Sequence, residues 1–205
     1  MPATVASKTS VVLNDVSWDF YLRTLEEVST GTRVTFDKGK MEIMSPVSYK
    51  HDRYKKLIAR MLESWCERHD QPLSPAGSLT LKRDEIQRGL EPDEAYFIHA
   101  KAPDADTEML DLSIFQGPDL VIEVDITTHS INKEPLYLEL GAEEIWVWDD
   151  QSLRIRVNQA GRFVDSTTSR LLPAFPVALF IEHLRQSKSL DPSQAINAWR
   201  LATPR

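Results

Sequence analysis

The chain has 205 residues, 41% of them hydrophobic and 27% charged, which suits a folded domain with a sizeable core and excludes a disordered or fibrous chain. A formal net charge of -7 excludes a protein that coats nucleic acid without specificity, because phosphate neutralisation by Lys and Arg supplies most of such affinity. Acids gathered around a divalent cation would add to the negative count, so a nuclease stays open.

No apolar run approaches the roughly 18 residues of a membrane span, and Met1 to Ser10 lacks the apolar stretch of a secretory signal. The expectation is a cytoplasmic protein without a membrane partner. Residues 1–13 read as a flexible, polar N-terminal arm and 14–205 as a single domain. Asn14 to Ser29 places Val16, Phe20, Leu22 and Leu25 at helical spacing, with Asn14 as cap and Gly31 as stop. Thr32 to Phe36 and Lys40 to Met44 flank the turn signal Asp37-Lys38-Gly39, which predicts a hairpin carrying Glu42 in its second strand.

Between Ser48 and His69, Tyr54, Leu57, Ile58, Met61, Leu62, Trp65 and Cys66 recur at intervals of three and four, predicting a long amphipathic helix. Cys66, the single cysteine, lies on its apolar stripe and is read as a core thiol. The basic residues Lys50, Arg53, Lys55, Lys56 and Arg60 fit either phosphate contacts or a solvated face. Ser78 to Lys82 and Asp93 to Ile98 are strand-like, separated by a charged connection containing Gly89. Lys101 to Gly117 is an acidic loop. Leu120 to Val124 is almost continuously apolar, as in a strand buried on both faces. A short helix over Asn132 to Leu140, ended by Gly141, leads to the strand Glu144 to Trp148, a strand-helix-strand series that predicts a crossover at the sheet's centre. A hairpin (Leu153 to Asn158 with Arg162 to Asp165) and two helices near Val177 to Gln186 and Ser193 to Leu201 complete the chain.

Two Pro-Asp dipeptides, Pro92-Asp93 and Pro118-Asp119, each open a strand-like run. Asp119 and Glu123 share a strand face but stand roughly 13 Å apart at 3.3 Å per residue, too far to share one small cation. Asp119 is therefore expected to cap the strand entry or bind neighbouring backbone. Asp93, on a separate strand, can return beside Glu123. Glu123 interrupts Leu120-Val121-Ile122-Glu123-Val124, where a carboxylate is costly unless paired or bound to metal. Asp125 projects from the same strand face, so Glu123 and Asp125 are expected to point into one pocket. No phosphate-binding Gly-rich motif appears, and the five histidines form no HExxH arrangement.

The run PDLVIEVDITTHSINKEPLYLELGAEEIWVWD, Pro118 to Asp149, resembles the central motif of the Uma-type restriction endonuclease family within the PD-(D/E)XK nuclease superfamily. The similarity extends to Met41-Glu42-Ile43-Met44-Ser45-Pro46, to His51, and to Glu91-Pro92-Asp93. It implies an α/β fold, a restriction-endonuclease-like mixed central sheet flanked by helices, with an acidic site for Mg²⁺ or Mn²⁺. Carried over, the resemblance makes Asp93 the motif aspartate, Glu123 the motif glutamate, Glu42 a supporting acid and His51 a residue at the pocket edge. Asp125 stands where the superfamily has lysine, and Lys133, on the following helix, is read as that lysine in a migrated position.

The chemistry so implied is phosphodiester hydrolysis by a metal-dependent DNA endonuclease, with Asp93, Glu123 and Asp125 on the metal and Lys133 serving the attacking water. The alternative is a catalytically degenerate nuclease-fold protein that binds DNA or regulates, which Asp125 and the acidic charge favour. A homodimer would let two sites face two strands, and assembly alone is a third reading. Trp146 and Trp148 are expected beside the site.

Overall fold

The computed structural model describes residues 10–45, 47–125 and 131–204. In chain order its elements are β1 (Ser10–Leu13), α1 (Trp18–Glu27), β2 (Arg33–Asp37), β3 (Lys40–Met44), α2 (Tyr49–Arg68), β4 (Ser74–Pro75), β5 (Leu81–Arg83), β6 (Arg88–Leu90), β7 (Glu94–Phe97), β8 (Leu120–Val124), α3 (Glu134–Glu139), β9 (Glu144–Trp148), β10 (Leu153–Asn158), β11 (Phe163–Ser166), α4 (Val177–Gln186) and α5 (Pro192–Ala202). They form two sheets rather than one. The larger runs β11-β10-β9-β8-β7-β4, and the smaller runs β1-β3-β2-β6-β5. In the larger sheet β8 and β9 are parallel, joined through α3, while every other pairing is antiparallel. The mixed sheet expected around residues 93–98, 119–125 and 144–148 is thus present.

Burial follows the alternation of side chains along a strand. Leu120, Ile122 and Val124 of β8, with Trp146 and Trp148 of β9, pack in one cluster with Tyr54, Leu57, Ile58, Met61 and Trp65 of α2 and with Phe180 and Trp199 of α4 and α5. Val121 and Ile145 point the other way and pack with Leu136 and Tyr137 of α3. Both faces are therefore covered, as the apolar run of β8 requires. Trp146 and Trp148 consequently lie on the face opposite Glu123, not beside it, because they are one step out of phase with it. Trp199 Nε1 donates to the Met61 carbonyl at 2.8 Å, which ties α5 to the middle of α2. Cys66 is buried in the same cluster, and burial pushes its thiol up to about 12.

Three expectations need correction. The first helix starts later, because Ser17 is the cap that accepts from Phe20 N–H, and Asp15 before it has a left-handed φ of 55° that breaks a helix. Ser10–Leu13, expected within the arm, form a strand that pairs with β3 from Met44 to Met41; residues 1–9 lie outside the described residues. The charged connection around Gly89 contains β6, which pairs with both β2 and β5.

The approach to β8 is tight. A Cβ on Gly117 would stand 2.0 Å from the carbonyl oxygen of Leu140, at the end of α3. The neighbouring atom is backbone, so it cannot swing aside. Gly117→Ala is expected to lower stability by about 1–3 kcal/mol, the usual range for overpacking, measured as a fall in the urea midpoint at unchanged slope.

Candidate active site

Asp93 follows Pro92 at the start of β7. Because Glu94 pairs with Ile122, the next step of this antiparallel register sets Asp93 opposite Glu123, and residues directly opposite share a face. Both are buried, and both line one narrow pocket of about 10 Å³ with Arg33, Met44, Val47, His51 and Val124. The two acids expected to share a site do so.

Each carboxylate is held differently. Asp93 Oδ2 accepts from the Val124 N–H at 2.6 Å and is 3.0 Å from His51 Nε2, while Oδ1 forms an ion pair with Arg33. Ser48 caps α2 by accepting from the His51 N–H, which places His51 in the first turn facing Asp93. Burial alone would raise the Asp93 carboxyl. The His51 hydrogen bond, the Arg33 charge and the Val124 N–H outweigh it and hold the group well below the usual carboxylate range. Glu123 accepts from Lys133 Nζ at 2.9 Å on both oxygens, and the Tyr137 hydroxyl donates to Oε1. Lys133 and Tyr137 are four residues apart at the head of α3, so one helix face brings both to the same carboxylate. Burial, then the nearby Glu123, pushes the Tyr137 hydroxyl well above its ordinary value, so it is a donor at neutral pH.

Two other buried acids show what a purely structural carboxylate looks like here. Asp119 Oδ2 accepts from the backbone N–H groups of Ile98, His99 and Ala100 at 2.7, 3.0 and 2.9 Å, the backbone role expected of it. Glu144 accepts from Trp146 Nε1 and from the N–H groups of Arg170 and Leu171. Their donors belong to backbone or to a packed indole and cannot leave. Those of Asp93 and Glu123 include an arginine, a lysine, a histidine and a tyrosine, groups that can exchange partners.

Glu42 lies buried in β3, on the face it shares with Met44 and Arg33, one cross-strand pair further from the pocket, which it does not line. Asp125 does not line the pocket either. Its backbone N–H continues the pairing with β9 by donating to the Trp148 carbonyl at 2.8 Å, beyond the end of β8. Among the described residues no three acids, histidines or cysteines gather as a metal-binding group; of the expected trio, Asp93 and Glu123 line the pocket and Asp125 does not. Pro46 of the motif before α2 lies outside the described residues. Lys50 pairs with Asp150, and Lys55 and Lys56 lie 3.9 and 3.8 Å from Glu94, so part of the basic face of α2 is engaged within the chain.

Sequence reasoning missed Arg33 and Tyr137. The spacing of four from Lys133 could have flagged Tyr137. Nothing local marks Arg33, whose partner is 60 residues away on the other sheet.

Residues 18–199 match Uma2, a family described as "Putative restriction endonuclease". The chain belongs to this family. Among solved structures, the Uma2 chain is similar to one described as a putative nuclease belonging to DUF820 from Anabaena variabilis, with a TM-score of 0.55 and 17% identity, over 90% of this chain and 99% of that one. At that identity the likeness establishes the fold. No curated protein matches the chain.

Asp119→Ala should destabilise the protein by about 1–3 kcal/mol, since three half-buried backbone N–H groups lose a charged acceptor. Calorimetric titration with Mn²⁺ should give the same affinity as wild type at a temperature where the variant is folded.

Proposed function

We propose that this Uma2 chain is a divalent-metal-dependent endonuclease that hydrolyses phosphodiester bonds in DNA. The observation that carries the reading is the contact of Lys133 Nζ with both oxygens of Glu123, itself set opposite Asp93 across the β7–β8 pair. It supports Lys133 in the role that position 125, an aspartate, cannot fill. Family membership and fold support a nuclease; metal dependence, DNA as substrate and the residue roles rest on this geometry and its chemistry.

The donor set fits a hard cation. Two buried carboxylates share one pocket, and Asp93 Oδ1 meets a single partner, the Arg33 side chain, while Oδ2 is held by two groups. Mg²⁺ or Mn²⁺ held by Asp93 and Glu123 would supply positive charge against phosphate oxygens and make a neighbouring water more acidic. The remaining work falls to the chain. His51 and the Val124 N–H fix one Asp93 oxygen, which prevents the carboxylate from rotating. Tyr137 fixes Glu123 from α3, and Lys133 beside it sets its ammonium where it can orient the attacking water or offset the developing charge on phosphate. Walls of buried side chains around so narrow a pocket exclude bulk water, which strengthens each of these interactions.

One observation favours the second reading, a nuclease-fold protein that binds DNA without cutting it. Both carboxylates are already neutralised within the chain, Asp93 by Arg33 and Glu123 by Lys133.

Incubation with supercoiled plasmid and Mg²⁺ or Mn²⁺ decides between them. Wild type is expected to nick or linearise the plasmid, Asp93→Ala and Glu123→Ala to be inactive, and Lys133→Ala to lose about 100-fold or more in rate without weakening Mn²⁺ binding. Asp125→Lys in the Lys133→Ala background should recover part of the loss. A wild type that cuts no form of DNA with either metal makes the binding protein the better account.

A further inference from the structure

Arg33 is the one charged side chain of the pocket that the proposed function leaves without work. It opens β2, so it comes from the smaller sheet and reaches Asp93 on the larger one. Its side chain is only 12% exposed. Burial works against its charge, yet Asp93 and Glu123 hold the guanidinium protonated.

The two oxygens of Asp93 are not equivalent. Oδ2 is fastened to the Val124 N–H and to His51, while Oδ1 meets only the charge of Arg33. Charge balance gives the same result. Asp93 and Glu123 carry two negative charges, and Arg33 and Lys133 return two positive ones, so a divalent cation finds little net attraction until one of the two moves. Lys133 contacts both oxygens of its carboxylate at 2.9 Å, whereas Arg33 pairs with a single oxygen of Asp93, so a cation taking that oxygen displaces one contact rather than two. Once displaced, a guanidinium still lines this pocket and keeps its planar fork of donors. That fork matches two oxygens of a phosphodiester, which a lysine ammonium cannot do.

We propose that Arg33 occupies, in the metal-free protein, the Asp93 oxygen that a divalent cation takes, and that on cation binding it transfers to the non-bridging oxygens of the DNA phosphate at the site. The idea rests on the metal-dependent reading above and adds a phosphate-binding residue that also gates the cation. No bond is made or broken in the exchange.

Two binding measurements test it, neither of which needs cleavage. Mn²⁺ affinity is measured by calorimetry without DNA, and affinity for a labelled DNA duplex by fluorescence anisotropy in Ca²⁺, for wild type, Arg33→Gln and Arg33→Lys. Arg33→Gln should bind Mn²⁺ about tenfold more tightly, a modest share of the repulsion between close charges, and bind the duplex about tenfold more weakly. Arg33→Lys keeps the charge and loses the fork, so its Mn²⁺ affinity should stay near wild type while duplex affinity falls. Equal or weaker Mn²⁺ binding by folded Arg33→Gln, with wild type binding the ion, overturns this inference alone. Absence of Mn²⁺ binding in both overturns it together with the metal-dependent function, whereas binding only by Arg33→Gln supports the exchange strongly. Should Arg33→Gln fail to fold, Arg33→Lys decides: wild-type duplex affinity overturns the proposal.

Discussion

A carboxylate at the fourth position of a strand covered on both sides must be compensated, and much of this molecule is arranged around that requirement. Glu123 faces α3, so the helix that covers β8 must also bring donors. Lys133 and Tyr137 do both jobs: the tyrosine ring packs in the apolar cluster under α3 while its hydroxyl reaches Glu123. An unpaired glutamate there would cost several kcal/mol or be neutralised by a proton. The parallel pairing of β8 with β9 follows from the same arrangement, because the helix that serves Glu123 is also the connection between the two strands.

The pocket lies where the two sheets meet. β2 and β3 bring Arg33 and Met44, β7 and β8 bring Asp93 and Glu123, and the first turn of α2 brings His51. Neither sheet alone contains a complete set of charges. Tyr21 of α1 seals the smaller sheet so closely that a Cβ on Gly89 would lie 2.1 Å from its hydroxyl oxygen. Such packing holds the smaller sheet against α1, and β2, which pairs with β6 there, carries Arg33.

Periodicity made the larger sheet legible. The three-and-four spacing of α2, the apolar run of β8 and the β10–β11 hairpin need no tertiary information, and the 13 Å separation along one strand was enough to exclude Asp119 from the pocket. The smaller sheet was harder to read because its strands are short and charged, with β5 and β6 containing Lys82, Arg83 and Arg88; their pairing is decided by β2 rather than by their own pattern. Asn14 misled for a related reason: as a residue type it caps as well as Ser17, and only the left-handed backbone at Asp15 separates the two. In the site, the acids stand out because they interrupt apolar runs. Arg33 does not, since an arginine at the start of a strand is ordinary until its partner is known. Asp125 follows the last residue of β8, where the alternation that places Glu123 no longer applies.

The bond from Trp199 to the Met61 carbonyl joins residues 138 positions apart. Contacts so distant in sequence close the largest loops and are made late in folding. Until α5 docks, therefore, the rings that Trp199 meets, Phe175 and Phe180, lack that cover, and an emerging chain presents them to whatever is nearby. Aggregation of a chain in which α5 is undocked would start at those rings, on the far side of the larger sheet from Glu123.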